Sequence, residues 1–159
     1  MCSWYWLTID TSSGSFNVTA HPTSEWAVQQ LREAFPFGHM PRYLLRNRDK
    51  ILGADFRQQV ADLKVKEVLA APRSPWQRTY GERVIGSIRR QCLDHVIVFS
   101  EASLHRTLAS YFSYYHETRP HLSLAKDSPK PRPVQLEHGP VVAVAQVGGL
   151  QDRYERRAA

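Results

Sequence analysis

The sequence predicts an α/β fold in which helices pack on a mixed β-sheet. The first reason is the order of its segments, a hairpin followed by helix, strand, helix, strand and two further helices. The second is composition, because 42% hydrophobic and 23% charged residues are typical of globular domains rather than of disordered chains. With 159 residues, the chain is also long enough to bury a core of its own.

The first two strands and the first helix follow from residue types and turn chemistry. Aromatic and β-branched residues at 3–9 and 16–20 indicate a hairpin, and the residues from Asp10 to Ser15 favour a turn between them. Ser24 is expected to cap the helix that follows, with Glu25 in its first turn. The buried face of that helix is predicted to contain Ala27, Leu31, Ala34 and Phe35.

The middle of the chain predicts two more strands and two more helices. Tyr43–Leu45 is a short apolar segment that favours a central strand, and Val65–Leu69 favours another. A helix is expected between them, from about Ala54 to Leu63, and a longer one from Glu101 to Tyr115. The predicted inward residues are Phe56, Val60 and Leu63 in the former and Leu104, Leu108, Tyr111 and Tyr115 in the latter.

The segment from Arg73 to His95 opens with prolines and is predicted to become helical from about Arg78. Its apolar positions recur at helical spacing at Gly81, Ile85, Ile88 and Cys92. The neighbouring face carries Arg78, Glu82, Gly86 and Arg89, so one carboxylate stands in a basic stripe. Two interpretations remain open: an exposed helix with an Arg78–Glu82 ion pair, or an acid held near a phosphodiester whose phosphates the arginines bind.

The C-terminal part has a different character. Ser128–Pro133 is rich in proline and is expected to be an extended connector. A strand is possible from Val141 to Val147, and an extended basic tail is predicted from Leu150 to Ala159. The sequence therefore divides into a domain at 1–127 and a connector with a tail at 128–159.

The charge balance favours an anionic partner. Lysine and arginine number 21 against 15 acidic residues, which gives a net charge of +6. Cys2 and Cys92 form no disulfide framework, and Cys92 is expected to be a small core residue. No apolar run reaches the length of a membrane helix, and no basic residue precedes the apolar start. A cytoplasmic protein without a membrane partner is therefore predicted.

Two motifs carry a resemblance to a known family. The string SPWQRTYGERVIGSIRRQCLDH resembles the signature helix of the integrase core of retroviral integrases and insertion-sequence transposases. The string YYHETRPHLSL at 114–124 resembles a motif that follows the core in such transposases. The resemblance covers about residues 4–135 and implies a ribonuclease H-like mixed sheet flanked by helices. It also implies that the chain is truncated at its N-terminus and lacks the first strand of that fold.

The resemblance implies an Asp, Asp, Glu site for Mg²⁺ or Mn²⁺, of which Glu82 matches the last acid. The second acid lies some 35 residues earlier in the family, where this chain has Asn47, with 34 residues between it and Glu82. Asp49 is a possible substitute two residues away, while Asp10 has the character of a turn residue. Because Mg²⁺ binding needs several oxygen ligands, metal binding by this chain is expected to be weak.

DNA is the partner that the resemblance implies, both as transposon ends and as target. Five arginines around the signature helix are expected to bind phosphates: Arg73, Arg78, Arg83, Arg89 and Arg90. A homo-oligomer, or assembly with an intact transposase, is also expected. Arg119 and His121 have two open interpretations, as a structural corner of the core or as DNA contacts.

The sequence therefore predicts a truncated integrase-core transposase that binds DNA and is catalytically impaired. One alternative is a non-catalytic module that binds DNA or pairs with intact transposase subunits. Another is a non-functional remnant that folds marginally.

Overall fold

The computed structural model describes residues 6–9, 16–35, 40–46, 52–71, 79–135 and 138–157. They belong to two compact units, Met1–Val84 and Ile85–Ala159. In the described ranges, no helix is both long and apolar enough to cross a membrane.

The first unit begins with the predicted hairpin. Strand β1 (Trp6–Ile9) pairs antiparallel with β2 (Phe16–Thr19), with Trp6 opposite Thr19. The predicted turn at Asp10 lies outside the described residues. The prediction of a hairpin is confirmed, although the described strands are four residues long.

Helix α1 (Ser24–Ala34) is capped by Thr23 rather than by Ser24 as predicted. The Trp26 backbone N–H donates to Thr23 Oγ1 at 3.1 Å. Thr23 has the extended backbone of a capping residue, with φ of −121° and ψ of 166°, whereas Ser24 is already helical. The most deeply buried residue of α1 is Val28, which the predicted face omitted.

A parallel strand pair and its crossover helix complete the described part of this unit. Strands β3 (Tyr43–Arg46) and β4 (Lys66–Leu69) pair in parallel and are joined through helix α2 (Ala54–Asp62), as parallel strands require. Helices α1 and α2 contact each other. The core between these elements consists of Val28, Phe56, Val60 and Val65, with Ala27, Leu31, Met40, Leu44, Leu52 and Leu63 packed against it.

One ion pair is nearly buried on the β3–β4 pair. Arg46 Nε donates to Glu67 Oε1 at 3.0 Å, and a second guanidinium nitrogen donates to Oε2 at 3.2 Å. The Arg46 side chain is 8% exposed and its guanidinium lies 5.8 Å from the centre of the Phe56 ring. This two-pronged geometry fixes the end of β3, immediately before Asn47 in sequence.

Helix α3 (Thr79–Gln91) spans the boundary between the two units, and α4 (Glu101–Glu117) belongs to the second. Ser100 caps α4, because its hydroxyl accepts from the Ser103 N–H while Ser103 Oγ accepts from the Ser100 N–H. The buried residues of α4 are Leu104, Leu108, Tyr111, Phe112 and Tyr114. The predicted face is confirmed at its first three positions, whereas Tyr115 is only half-buried.

The predicted C-terminal tail is a strand. Strand β5 (Val141–Gln146) pairs antiparallel with β6 (Gln151–Arg156), and α4 packs against β5. The prediction of an extended tail from Leu150 is therefore wrong for 151–156. The chain reverses through Gly148 and Gly149, whose positive φ angles of 65° and 91° suit glycine.

The predicted mixed sheet differs from what the described residues form, which is three separate two-stranded sheets. The predicted strands are nonetheless present, and helices alternate with them as expected for a mixed α/β protein. The sequence identified strands from local residue types, but which strands pair depends on contacts between distant residues.

Candidate nucleic-acid interface

Helix α3 presents one acid and several arginines to solvent. Glu82 lies in its first turn, and Arg89 and Arg90 lie in its last. All three residues are exposed, as is Arg83. This distribution complements the helix dipole, which favours acids at the N-terminus and bases at the C-terminus. Arg83 and Arg90 are seven residues apart, about two turns or 10 Å along the helix.

The buried face of α3 is rotated from the predicted one. Val84, Ser87, Ile88 and Cys92 are buried, whereas Ile85 is 42% exposed. Gly81 is exposed as well. Ile85 therefore lies on the same exposed side of the helix as Glu82 and Arg89, because it is three residues after Glu82 and four before Arg89. The predicted face is confirmed only at Ile88 and Cys92.

Gly86 gives the Arg90 side chain room to lie along the helix. A Cβ atom at Gly86 would come within 3.0 Å of one terminal nitrogen of Arg90 and 3.4 Å of the other. The guanidinium is thus held against the helix surface one turn before its own Cα. The His95 ring nitrogen Nε2 bonds to the Arg90 carbonyl oxygen at 2.9 Å, at the end of the same helix.

Four of the predicted site residues lie outside the described residues: Asn47, Asp49, Arg73 and Arg78. The roles expected of these four residues stay predictions. Within the described ranges, no three His, Cys, Asp or Glu side chains are grouped so that they could hold a metal ion. The described residues do not by themselves fit a Mg²⁺ site, which needs several oxygen ligands.

Gln91, which the sequence did not single out, makes several hydrogen bonds within the second unit. Its Oε1 accepts from the Tyr111 hydroxyl at 2.7 Å and from Arg119 Nε at 3.1 Å. The Gln151 side chain also donates to the Gln91 carbonyl oxygen, at 3.5 Å. The sequence signal for this role was weak: Gln91 is a polar residue close to the buried Ile88 and Cys92 on the same helix.

Arg119 and His121 form a structural corner, as the first of their two interpretations predicted. Arg119 lies 5.3 Å from the centre of the Tyr115 ring and donates to His121 Nδ1 at 3.3 Å. His121 Nε2 lies 3.3 Å from the Tyr115 carbonyl oxygen. Because arginine only donates and a carbonyl only accepts, the His121 ring carries its hydrogen on Nε2.

We expect Arg119→Lys to lower the free energy of unfolding by about 1–2 kcal/mol, because lysine cannot reproduce the planar contacts to Gln91 and Tyr115. Urea denaturation monitored by circular dichroism measures the change. Lys130→Arg is a suitable control, since Lys130 makes an exposed ion pair with Glu117. A variant as stable as the parent protein would contradict the structural role of Arg119.

Cys92 has the buried core position that the sequence predicted. Burial raises the pKa of its thiol above the usual range, which keeps it protonated near neutral pH. Cys92 therefore has the environment of a core residue, and a thiol that stays protonated is a poor nucleophile.

The comparison with protein families finds one match, in the middle of the chain. Residues 63–129, which include α3 and α4, match the model of the integrase core domain. This stretch is therefore similar to the integrase core domain. The resemblance that the two sequence motifs carry is thereby confirmed. A comparison with curated proteins gives no match.

The fold agrees with that of a solved integration complex. The chain is similar to a chain in the cryo-EM structure of the simian T-cell lymphotropic virus intasome in complex with PP2A regulatory subunit B56 gamma. The TM-score is 0.53 at 16% sequence identity, over 93% of this chain. The match spans 58% of the length of that viral chain. A likeness at this identity shows the fold alone, which is a mixed α/β fold with helices and small sheets.

Proposed function

We propose that this chain is an integrase-core protein of the transposase type that binds DNA and catalyses strand transfer poorly or not at all. The observation that carries the proposal is the exposed face of α3 within the matched segment. There, Glu82 stands in the first turn and Arg83, Arg89 and Arg90 follow it, all of them exposed. Arginine contacts to DNA phosphates give binding that does not depend on base sequence, and an exposed arginine-bearing face can make such contacts.

The expected loss of catalysis rests on the position of the second acid. Asn47 occupies that position by the resemblance, and a neutral amide is a poorer ligand for Mg²⁺ or Mn²⁺ than a carboxylate. Asp49 stays a candidate substitute. Glu82 could supply one ligand to such an ion, whose chemistry in the family is to activate phosphodiester oxygens. One carboxylate provides too little charge to replace the water that these ions hold tightly.

The proposed partners are DNA, as transposon ends and target, and other copies of the integrase core. The assembly is proposed to be a homo-oligomer or a complex with an intact transposase. The net charge of +6 and the fold that the chain shares with a chain of a viral intasome structure support both proposals.

The experiment that tests the proposal combines metal binding with DNA binding. We expect the chain to retard DNA in a gel in the presence of EDTA and to show no calorimetric binding of Mn²⁺ and no nicking. Asn47→Asp should restore measurable Mn²⁺ binding, because it returns a carboxylate to the expected position of the second acid. Glu82→Gln in the Asn47→Asp background should abolish that binding.

Two outcomes would overturn parts of the proposal. Micromolar Mn²⁺ binding by the parent chain that Glu82→Gln removes would mean that Asp49 or Asp10 serves as a ligand and that the chain is an active enzyme. No retardation of DNA at low salt would contradict the DNA-binding function and favour a module that acts through proteins.

A further inference from the structure

The hairpin of β5 and β6 has two edges of different character. The Arg157 N–H donates to the Pro140 carbonyl oxygen at 3.1 Å, and Val141 is opposite Arg156 in the register. Bonded and non-bonded pairs alternate along an antiparallel ladder, so Val141 and Arg156 form a non-bonded pair. Their backbone polar groups therefore point away from the hairpin.

The outward edge of β6 is protected. The Arg156 N–H, which points outward, donates to Gln135 Oε1 at 2.7 Å. Four of the six residues in this strand are charged, namely Asp152, Arg153, Glu155 and Arg156. Charged side chains on an edge strand oppose pairing with another strand.

The outward edge of β5 has no such protection from the residues that the structure describes. By the same alternation, Val141, Ala143 and Ala145 direct their N–H and C=O groups away from β6. Among the described residues, one hydrogen bond is made to these outward groups, from Gln146 Nε2 to the Ala145 carbonyl oxygen at 3.2 Å. All three residues are exposed, and the strand VVAVAQ contains no charge and no proline. An uncharged edge of this kind is a template for an added strand.

We propose that β5 pairs with β5 of a second copy of this chain in an antiparallel dimer, forming a four-stranded sheet. A two-fold axis at Ala143 places Ala143 opposite its own copy and Val141 opposite Ala145. In this register, the outward N–H and C=O groups of both strands form hydrogen bonds with each other. This register gives about six backbone hydrogen bonds. Pairing of the same surface on both subunits closes the assembly at a dimer.

The charges favour a second copy as the occupant. Strand β5 brings no charge to the seam, so its self-pairing places no like charges opposite each other. Each charged β6 then lies at an outer edge of the four-stranded sheet, with Gln135 covering part of it. The sheet therefore has no uncharged edge left to recruit more strands. Alanine at 143 and 145 also keeps the exposed face of the seam free of steric conflict.

The β5 edge deepens the proposed function, because it would supply the contact for the proposed homo-oligomer. Only the biological purpose of the dimer rests on the proposed function. A single pair of six-residue edges buries less area than a stable dimer usually does. The dimer is consequently a weak one, with a dissociation constant of about 10 μM.

The test measures the mass of the full chain by sedimentation velocity between about 1 and 100 μM. We expect the mass to rise from monomer to dimer over this range. Ala143→Pro should hold the protein at the monomer mass, because it removes an outward N–H without removing a bond to β6. Ala143→Ser keeps that N–H and should dimerise as the parent does. A chain that stays monomeric throughout, or an Ala143→Pro variant that still dimerises, would overturn the proposal.

Cross-linking keeps the test decisive if proline disturbs folding. In a Cys2→Ser background, Ala143→Cys should form an intermolecular disulfide on mild oxidation, since paired Cα atoms would be about 5.5 Å apart. Asp152→Cys is the matched control, because two copies of β6 are three strand spacings or about 14 Å apart. Equal cross-linking of the two variants would contradict the register. A dimer that fails to bind DNA would refute the proposed function and leave this inference intact.

Discussion

Replacing Arg83, Arg89 and Arg90 together by alanine is expected to weaken DNA binding strongly and to flatten its dependence on salt. Each phosphate contact contributes about −0.9 to the slope of log K against log salt concentration, so three contacts contribute about −2.7. A slope of this size corresponds to roughly a 40-fold loss of affinity between 50 and 200 mM salt. The three arginines are exposed on α3, so their removal should leave folding unchanged.

Fluorescence anisotropy with a labelled duplex at several salt concentrations measures the slope. The matched control removes three exposed basic residues of the first unit, namely Arg32, Arg57 and Lys66. Both triple variants lose the same net charge, so a general electrostatic attraction would weaken equally in the two. Equal slopes for the two variants would show that α3 is not the DNA-binding face.

Replacing Glu67 by leucine is expected to cost about 3 kcal/mol of stability. Arg46 is 8% exposed, and the substitution removes the carboxylate that accepts two of its hydrogen bonds. Removing one partner from a nearly buried, two-pronged ion pair destabilises a protein strongly. Urea denaturation, with the free energy of unfolding extrapolated to water, measures the effect.

The double variant Arg46→Met with Glu67→Leu serves as the control for that prediction. The double variant removes both charges of this ion pair, and the apolar side chains can pack on Phe56. We expect its stability to return to within about 1 kcal/mol of the parent protein. A double variant as unstable as Glu67→Leu would mean that packing at these positions, rather than the charge pair, determines the cost.

The sequence by itself determined the type and order of the elements in this protein. The hairpin, α1, the β3–α2–β4 unit and α4 all lie where residue types and apolar spacing predicted them. The two motifs also predicted the similarity to the integrase core domain that residues 63–129 show, and Glu82 lies in the first turn of its predicted helix. These features are local, because helical periodicity and turn chemistry act over a few neighbouring residues.

Only the tertiary structure decided which face of α3 is buried, how Gln91 is used and what the C-terminal residues form. Ile85 and Val84 are adjacent apolar residues, so periodicity alone could not establish that Val84 is the one inside. Gln91 acquires its role from Tyr111 and Arg119, which lie 20 and 28 residues away in sequence. The strand β6 is largely polar and charged, and it forms because β5 offers it a ladder of backbone partners. Each of these outcomes depends on contacts between distant residues, which a local pattern does not contain.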